Sequence, residues 1–383
     1  MRVVYFTETF LPKIDGIVTR LTRTLEQLRD LGHEALVFAP GKPPKEYAGH
    51  RIVNVPAIPF RPVYPELKLG LPRPRLQREM VKFQPDIVHA VNPCILGAWG
   101  VLLARANNFP LMASFHTDVP EYARRHKLYF LEEPAHFLLS RLHNMAHANL
   151  VTSPQMKGRL EGMGVDRVRI WPKAVDTNFL RPDRKTEEMR FRLSGGHPDM
   201  PLVVYVGRLS PEKRVEWLEG PVKRRKDVRF AFVGEGPGEA DLKRLLENTP
   251  AVFTGFLRGE ELAAAYASAD VFAFPSDTET LGFVAMESMA SGTPVVGARA
   301  GGLPAVIDHE ETGLLFDPDS EEDFARQLDR LIDSPDLQRE WGENGRRTME
   351  KFNWRASTEK LIDYYDRACH VWRHTSGNPA KRA

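Results

Sequence analysis

Residues 271–296 read VFAFPSDTETLGFVAMESMASGTPVV. The apolar run Val271–Phe274, closed by Pro275, is what a strand buried on both faces requires. A polar loop follows, then apolar residues at helical spacing from about Leu281, and a second strand-like run at Pro294–Val296. Strand, helix and strand in so short a span predict parallel strands joined through a covering helix.

The same alternation continues outward in both directions. Further strands are expected at Leu202–Val206, Arg229–Val233, Val252–Thr254 and Leu314–Phe316. In the first half they fall at Val3–Phe6, Ala35–Ala39, Ile52–Val55, Asp86–Ala90, Leu111–Phe115 and Asn149–Thr152. Ile17–Leu31 has the spacing of an amphipathic helix, with Gly32 placed to cap its end. The pattern stops near Val168–Trp171, and Pro172, Pro182 and the polar stretch Arg184–Met200 form the expected linker. Trp354–His374 has the pattern of a last helix. The fold class is therefore α/β, with two Rossmann-like parallel-sheet domains facing across a cleft. Residues 1–180, joined by the helix of about 355–383, form one, and residues 181–354 the other.

Composition agrees with two globular domains. The chain has 383 residues, 42% hydrophobic and 27% charged, which excludes a fibrous or wholly disordered protein. Cys94 and Cys369 lie too far apart to suggest a disulfide framework or zinc site. Glu8 interrupts the place where a signal peptide needs an apolar core, and the longest apolar stretch, near Ile95–Ala104, is about half a membrane span. A cytoplasmic, reducing compartment is expected. The net charge of +2 divides into +8 over residues 1–180 and −6 over the remainder.

In doubly wound sheets ligands sit outside the carboxyl ends of the strands. Glu279 precedes the helix that follows Val271–Phe274, and Glu287 lies inside it, so both carboxylates can face one ligand. Backbone N–H groups at Leu281, Gly282 and Phe283 would be free to meet an anion or sugar hydroxyls, and Gly282 permits close approach. After Leu202–Val206 comes Gly207-Arg-Leu-Ser-Pro-Glu-Lys213, which sets Arg208 and Lys213 over the same strand end, where a departing diphosphate needs positive charge. The bland alternative pairs both cations with Glu212. In the first half, Asp15-Gly16-Ile17 opens a helix and could offer an N–H to phosphate, and His116 follows directly on Leu111–Phe115. The Gly234-Glu-Gly-Pro-Gly238 run has Glu239 where a dinucleotide fingerprint needs glycine, so it reads as a tight turn. Asp317-Pro-Asp319 follows a strand and reads as loop chemistry.

Taken together, GRLSPEK, the Glu279-x7-Glu287 segment and the DGI loop resemble the retaining GT-B glycosyltransferases of family 4, over Arg2 to about Trp354. The resemblance implies that Glu287 binds the ribose of a nucleotide-sugar donor and Glu279 its sugar. It implies that the backbone of Thr280, Leu281, Gly282 and Phe283 holds sugar hydroxyls. Arg208 and Lys213 would hold the diphosphate, Gly16 would pack on its β-phosphate and His116 would approach the sugar. It also implies front-face transfer with retention, no metal and no cofactor beyond the nucleotide-sugar donor, which is expected to be UDP-linked.

A narrower likeness lies in TETLGFV, MASGTPVVGARAGGLP, VYPELKLGLPRP and FQPDIVHAVNP. These look like the sulfoquinovosyltransferases of photosynthetic membranes, which move sulfoquinovose from UDP to diacylglycerol. One departure is Asp118 in His116-Thr-Asp-Val-Pro120, where such enzymes tend to have histidine; the variant is also similar to lipid mannosyltransferases. Glucosyl, glucuronosyl and mannosyl donors therefore stay open.

A lipid acceptor needs contact with a bilayer. Residues 41–82 carry nine Lys/Arg against three acids, interleaved with Tyr47, Phe60, Tyr64, Leu67, Leu69 and Leu71. Tyr122–Phe130 is a second basic-aromatic stretch. Both suit peripheral attachment to an anionic membrane surface, and equally a solvated loop and a core helix. No nucleic-acid motif is present, and a dead sugar-nucleotide-binding scaffold would be expected to lack one of the glutamates or cations found here.

Overall fold

The computed structural model of the protein describes residues 1–59, 68–117 and 132–375. The chain divides into two compact units: Met1–Pro172 with the C-terminal segment from Trp354, and Lys173–Asn353. The first unit ends at Pro172 and not at residue 180, because Val175 and Leu180 are buried in the second unit's core. The expected linker is likewise corrected. Arg184–Met200 contains the helix Glu187–Leu193, whose Met189 and Leu193 join that same core.

Among the described residues the first unit holds an eight-stranded sheet. Its spatial order is Val168–Ile170, Ala148–Val151, Leu111–Phe115, Ile87–Val91, Arg2–Thr7, Glu34–Pro40, His50–Val55 and Glu46–Tyr47. All pairings are parallel except the last. Strand residues alternate between two cores, as a period of two demands. Val3, Tyr5 and Val37 pack with Leu21 and Leu25 of the helix Gly16–Asp30 and with Leu361 and Tyr365 of the C-terminal helix Trp354–Thr375. Val4, Phe6 and Phe38 face Met80, Leu96 and Val101 on the other side. Helix Gly16–Asp30 ends where Gly32 donates to the Arg29 carbonyl and His33 to that of Leu28, satisfying two terminal acceptors.

The second unit's six parallel strands run in the order Val252–Gly255, Arg229–Val233, Leu202–Val206, Val271–Phe274, Val295–Ala298 and Gly313–Phe316. In chain order this is 3-2-1-4-5-6. Such a sheet has one switch point, between its first and fourth strands, where the connections diverge and leave a crevice. The first unit has the corresponding point between Arg2–Thr7 and Ile87–Val91. Among the described residues no helix is long and apolar enough to cross a membrane.

Candidate functional site

In the second unit two loops leave the switch point, residues 207–213 after Leu202–Val206 and residues 275–282 after Val271–Phe274. Backbone bonds hold the first loop: the Gly207 amide donates to Val233 O at 3.0 Å and the Leu209 amide to Glu235 O at 3.0 Å. The buried Tyr205 hydroxyl donates to Arg208 O at 2.8 Å. Burial, followed by the charges of Glu279, Glu212 and Glu216, holds that phenol well above its ordinary pKa, so it remains a donor. The glycine-rich turn is packing. A Cβ on Gly234 would stand 2.0 Å from the Gly207 carbonyl oxygen, and one on Gly236 would stand 2.2 Å from that of Leu209.

The second loop is tied to the first. Thr278 Oγ1 donates to Glu212 O at 3.3 Å, and Arg214 pairs with Asp277 at 2.7 Å. The Lys213 ammonium pairs with the Glu279 carboxylate, the two side chains being 21% and 18% exposed. Glu212 accepts instead from the Ser210 hydroxyl at 2.7 Å, so the bland pairing of Lys213 with Glu212 is replaced by one between two expected site residues. Arg208 lies half-buried on the same loop.

The helix after this loop is Phe283–Ala290, two residues later than expected, because the backbone of Gly282 is left-handed and cannot belong to a right-handed helix. Gly282 takes the N-cap position at φ +88°, a conformation that a Cβ would strain, and no side chain caps the helix. Its first turn is thus an anion-favouring end, with the N-cap three residues after the Glu279 that pairs with Lys213. Thr280 precedes it, half-buried. Glu287, one turn in, accepts from the Tyr266 hydroxyl at 2.8 Å. Burial first, then the Glu287 charge, keeps Tyr266 well above its ordinary pKa.

In the first unit Gly16 is the exposed first residue of its helix. Asp15 caps that helix, accepting from the Val18 amide at 2.9 Å, and also pairs with Lys13 at 3.2 Å. His116 is 7% exposed and its Nε2 is 2.9 Å from Ser114 Oγ. Burial, then the positive charge of Arg20 and the neighbouring His89 and His143, hold the imidazole well below its ordinary pKa, so it is neutral. Asn92 Oδ1 accepts from the His116 and Thr117 amides at 3.1 and 2.9 Å, fixing the loop. The structure thus brings Lys213, Glu279 and the Gly282 turn together in one unit, with Gly16 and His116 belonging to the other. Asp118, Tyr122–Phe130, Phe60, Tyr64 and Leu67 lie outside the described residues.

Several supporting residues carried no expected role. Gly302 donates to Glu279 O at 2.7 Å, and a Cβ on Gly301 would stand 2.1 Å from that oxygen. Adjacent glycines after a strand signal close backbone approach and were the sign that could have revealed them. Tyr266 and Asn92 come from other elements, and no local pattern links them to Glu287 or His116. Among the described residues no three His, Cys, Asp or Glu side chains gather as metal ligands, and Asp317 Oδ1 accepts from the Asp319 amide within a turn.

Comparison with known proteins finds family matches in both halves of the chain. Residues 14–179 match the glycosyltransferase family 4 profile and residues 188–348 that of the glycosyl transferases group 1. Sulfoquinovosyl transferase SQD2 of Arabidopsis thaliana is 37% identical over 94% of this chain and 72% of its own length. A GDP-mannose-dependent alpha-mannosyltransferase of Mycolicibacterium smegmatis is 37% identical over 96% of this chain and 97% of its own. Sucrose-phosphate synthase from Thermosynechococcus elongatus shares the fold with a TM-score of 0.78 at 22% identity, covering 95% of this chain and 98% of that one. An Anabaena protein, HepE, solved in complex with UDP, does so at 0.77 and 19%, covering 96% and 100%. The chain belongs to the GT-B glycosyltransferases of family 4.

Proposed function

We propose that the protein transfers a sugar with retention from a nucleotide donor to a lipid acceptor, specifically sulfoquinovose from UDP to diacylglycerol. The observation that carries the chemistry is the pairing of Lys213 with Glu279 beside the uncapped start of Phe283–Ala290. When donor binds, Glu279 would exchange its lysine partner for sugar hydroxyls, and Lys213 with Arg208 would turn to the diphosphate. Negative charge grows on that diphosphate as the glycosidic bond breaks, so the two cations stabilise the transition state more than the ground state. Glu287, oriented by Tyr266, would take the ribose hydroxyls; Gly16 would meet the β-phosphate and His116 the sugar. The reaction as proposed needs no metal, since the side chains provide the positive charge.

The likeness to SQD2 supports sulfoquinovose and diacylglycerol. A second reading, a GDP-mannose-dependent enzyme, is favoured by the mycobacterial relative, which this chain matches over nearly its whole length. Alpha-monoglucosyldiacylglycerol synthase of Streptococcus pneumoniae, 27% identical over 88% of this chain, supports a diacylglycerol acceptor with another sugar. We assign the protein to the cytoplasmic membrane surface. The helix Glu132–Asn144 exposes Phe137 (63%) and Leu138 (53%) with Arg141 packed over the Phe137 ring, an apolar surface that suits the interface of a bilayer. Purified enzyme incubated with a panel of UDP- and GDP-sugars and diacylglycerol tests the assignment. Product from UDP-sulfoquinovose alone supports it, and product from GDP-mannose alone transfers it to the second reading.

A further inference from the structure

A line of polar side chains crosses the otherwise apolar core of the first unit and ends at His116. Tyr5 and Tyr365 bring their hydroxyls within 2.8 Å, and the Tyr365 hydroxyl lies 2.7 Å from His89 Nδ1. His89 Nε2 is 2.9 Å from Ser114 Oγ, and that oxygen is 2.9 Å from His116 Nε2. Tyr5, Tyr365 and His89 are fully buried, and Ser114 is 1% exposed. The His89 and Trp171 rings tilt together with centroids 5.6 Å apart, and His116 meets the same indole edge-on at 5.9 Å.

Proton counting gives this line a direction. Each hydroxyl carries one proton and each neutral imidazole one, and burial pushes His89 down to about 3, so neither ring is cationic near neutrality. Tyr5 stands at the inner end with the Tyr365 oxygen as its one hydrogen-bond partner among the described residues. Its proton therefore goes to Tyr365. Tyr365 must then donate to His89 Nδ1, which leaves the His89 proton on Nε2, pointing at Ser114. Ser114 accepts that proton and passes its own to His116 Nε2. In the reverse direction the Tyr5 proton has no acceptor; if both imidazoles donate to Ser114, the serine proton has none. A buried donor left without an acceptor disfavours an arrangement by a factor of roughly ten or more.

We propose that this buried relay fixes His116 as the Nδ1–H tautomer, so that it presents a hydrogen-bond donor to the site and not a base. The inference rests on the proposed placing of His116 beside the donor sugar, where an Nδ1–H would hold a sugar hydroxyl or ring oxygen. Ser114, His89, Tyr365 and Tyr5 are positioning residues, acting through His116.

Two-bond proton–nitrogen spectra of the ligand-free enzyme labelled with 15N-histidine read the tautomer directly, with the His116 signal assigned by its loss in His116→Asn. A proton on Nδ1 is expected, and a proton on Nε2 overturns the proposal. Ser114→Ala should release the tautomer and lower kcat about ten-fold with a smaller change in donor KM. A fall in melting temperature with the tautomer unchanged would show that the relay is structural only, and overturn it. Tyr5→Phe should keep the Nδ1 proton, because Tyr365 still has His89 as its acceptor. Asparagine places an N–H near the position of Nδ1–H and glutamine near that of Nε2, so His116→Asn should retain at least ten-fold more activity than His116→Gln. Should His116→Ala keep full kcat, the placing of His116 at the sugar fails, while the spectra still decide the tautomer.

Discussion

Lys213 and Glu279, 66 residues apart in the chain, form an ion pair across the switch point of the second sheet. Each is about one-fifth exposed, a setting between a surface pair and a buried one, so losing the lysine should cost about 1–3 kcal/mol of stability. On the proposed mechanism its consequence is catalytic. Lys213→Ala should lower kcat on the order of 10²-fold, as expected for loss of charge at a leaving group, while the melting temperature falls by about 2–4 °C for each kcal/mol lost. Steady-state kinetics alongside calorimetry check this, and an unchanged kcat would remove Lys213 from the leaving-group role.

Gly301 presses on the Glu279 backbone at φ +57°, and the Gly302 amide donates to the same carbonyl. Gly301→Ala would place a methyl 2.1 Å from that oxygen in a strained conformation. The loop bearing Glu279 must then move. Donor KM should rise at least ten-fold, with a stability loss of about 1–3 kcal/mol. Donor titration and thermal melts would show it; wild-type donor binding would mean that the glycine pair does not shape the loop.

Much of this architecture could be read from residue pattern alone. Buried parallel strands are continuous apolar runs, so Leu202–Val206, Arg229–Val233 and Val271–Phe274 were expected at the limits observed. The loops after them hold the expected Lys213 and Glu279 together for the same reason, since strand order alone makes those ends neighbours. Long-range pairing was not legible. The polar stretch 184–200 resembles a linker, yet Arg190 is a buried guanidinium held by Asp270 at 2.7 Å and by the carbonyls of Pro198, Met200 and Ser268. Its partners lie up to 80 residues away, beyond any local pattern. Arg190→Ala, which leaves Asp270 without its cation, should cost about 3–5 kcal/mol in urea denaturation. A loss under 1 kcal/mol would restore the linker reading.

Tyr266 reaches Glu287 from the helix Gly259–Ser268, one layer behind the site. Tyr266→Phe removes one charge-assisted hydrogen bond and leaves the ring packing intact. UDP affinity should fall about 5- to 20-fold, with kcat at saturating donor changed by less than three-fold. Titration calorimetry with UDP measures the first figure, and equal affinity would detach Glu287 orientation from nucleotide binding.

The first unit also predicts a pH dependence of stability. Burial lowers His89 to about 3 and His143 and His147 each to about 4, and holds His116 well below its ordinary value. The unfolded chain therefore binds more protons than the folded one between about pH 3 and the ordinary histidine value near 6.5. Stability from these groups is complete above pH 6.5 and is lost as pH falls, by at most about 1.4 kcal/mol per unit for each histidine. Glu8 opposes this, since burial raises its carboxyl in the fold, but it is one group against four. The melting temperature should fall steadily from pH 6.5 to 4.5 with net proton uptake on unfolding. His143 gives the separate check, because it bonds Asn149 at 2.9 Å and lies outside the relay to His116. His143→Gln should reduce the uptake by up to one proton whatever it does to the absolute melting temperature, and an unreduced uptake would mean that His143 is already protonated in the fold.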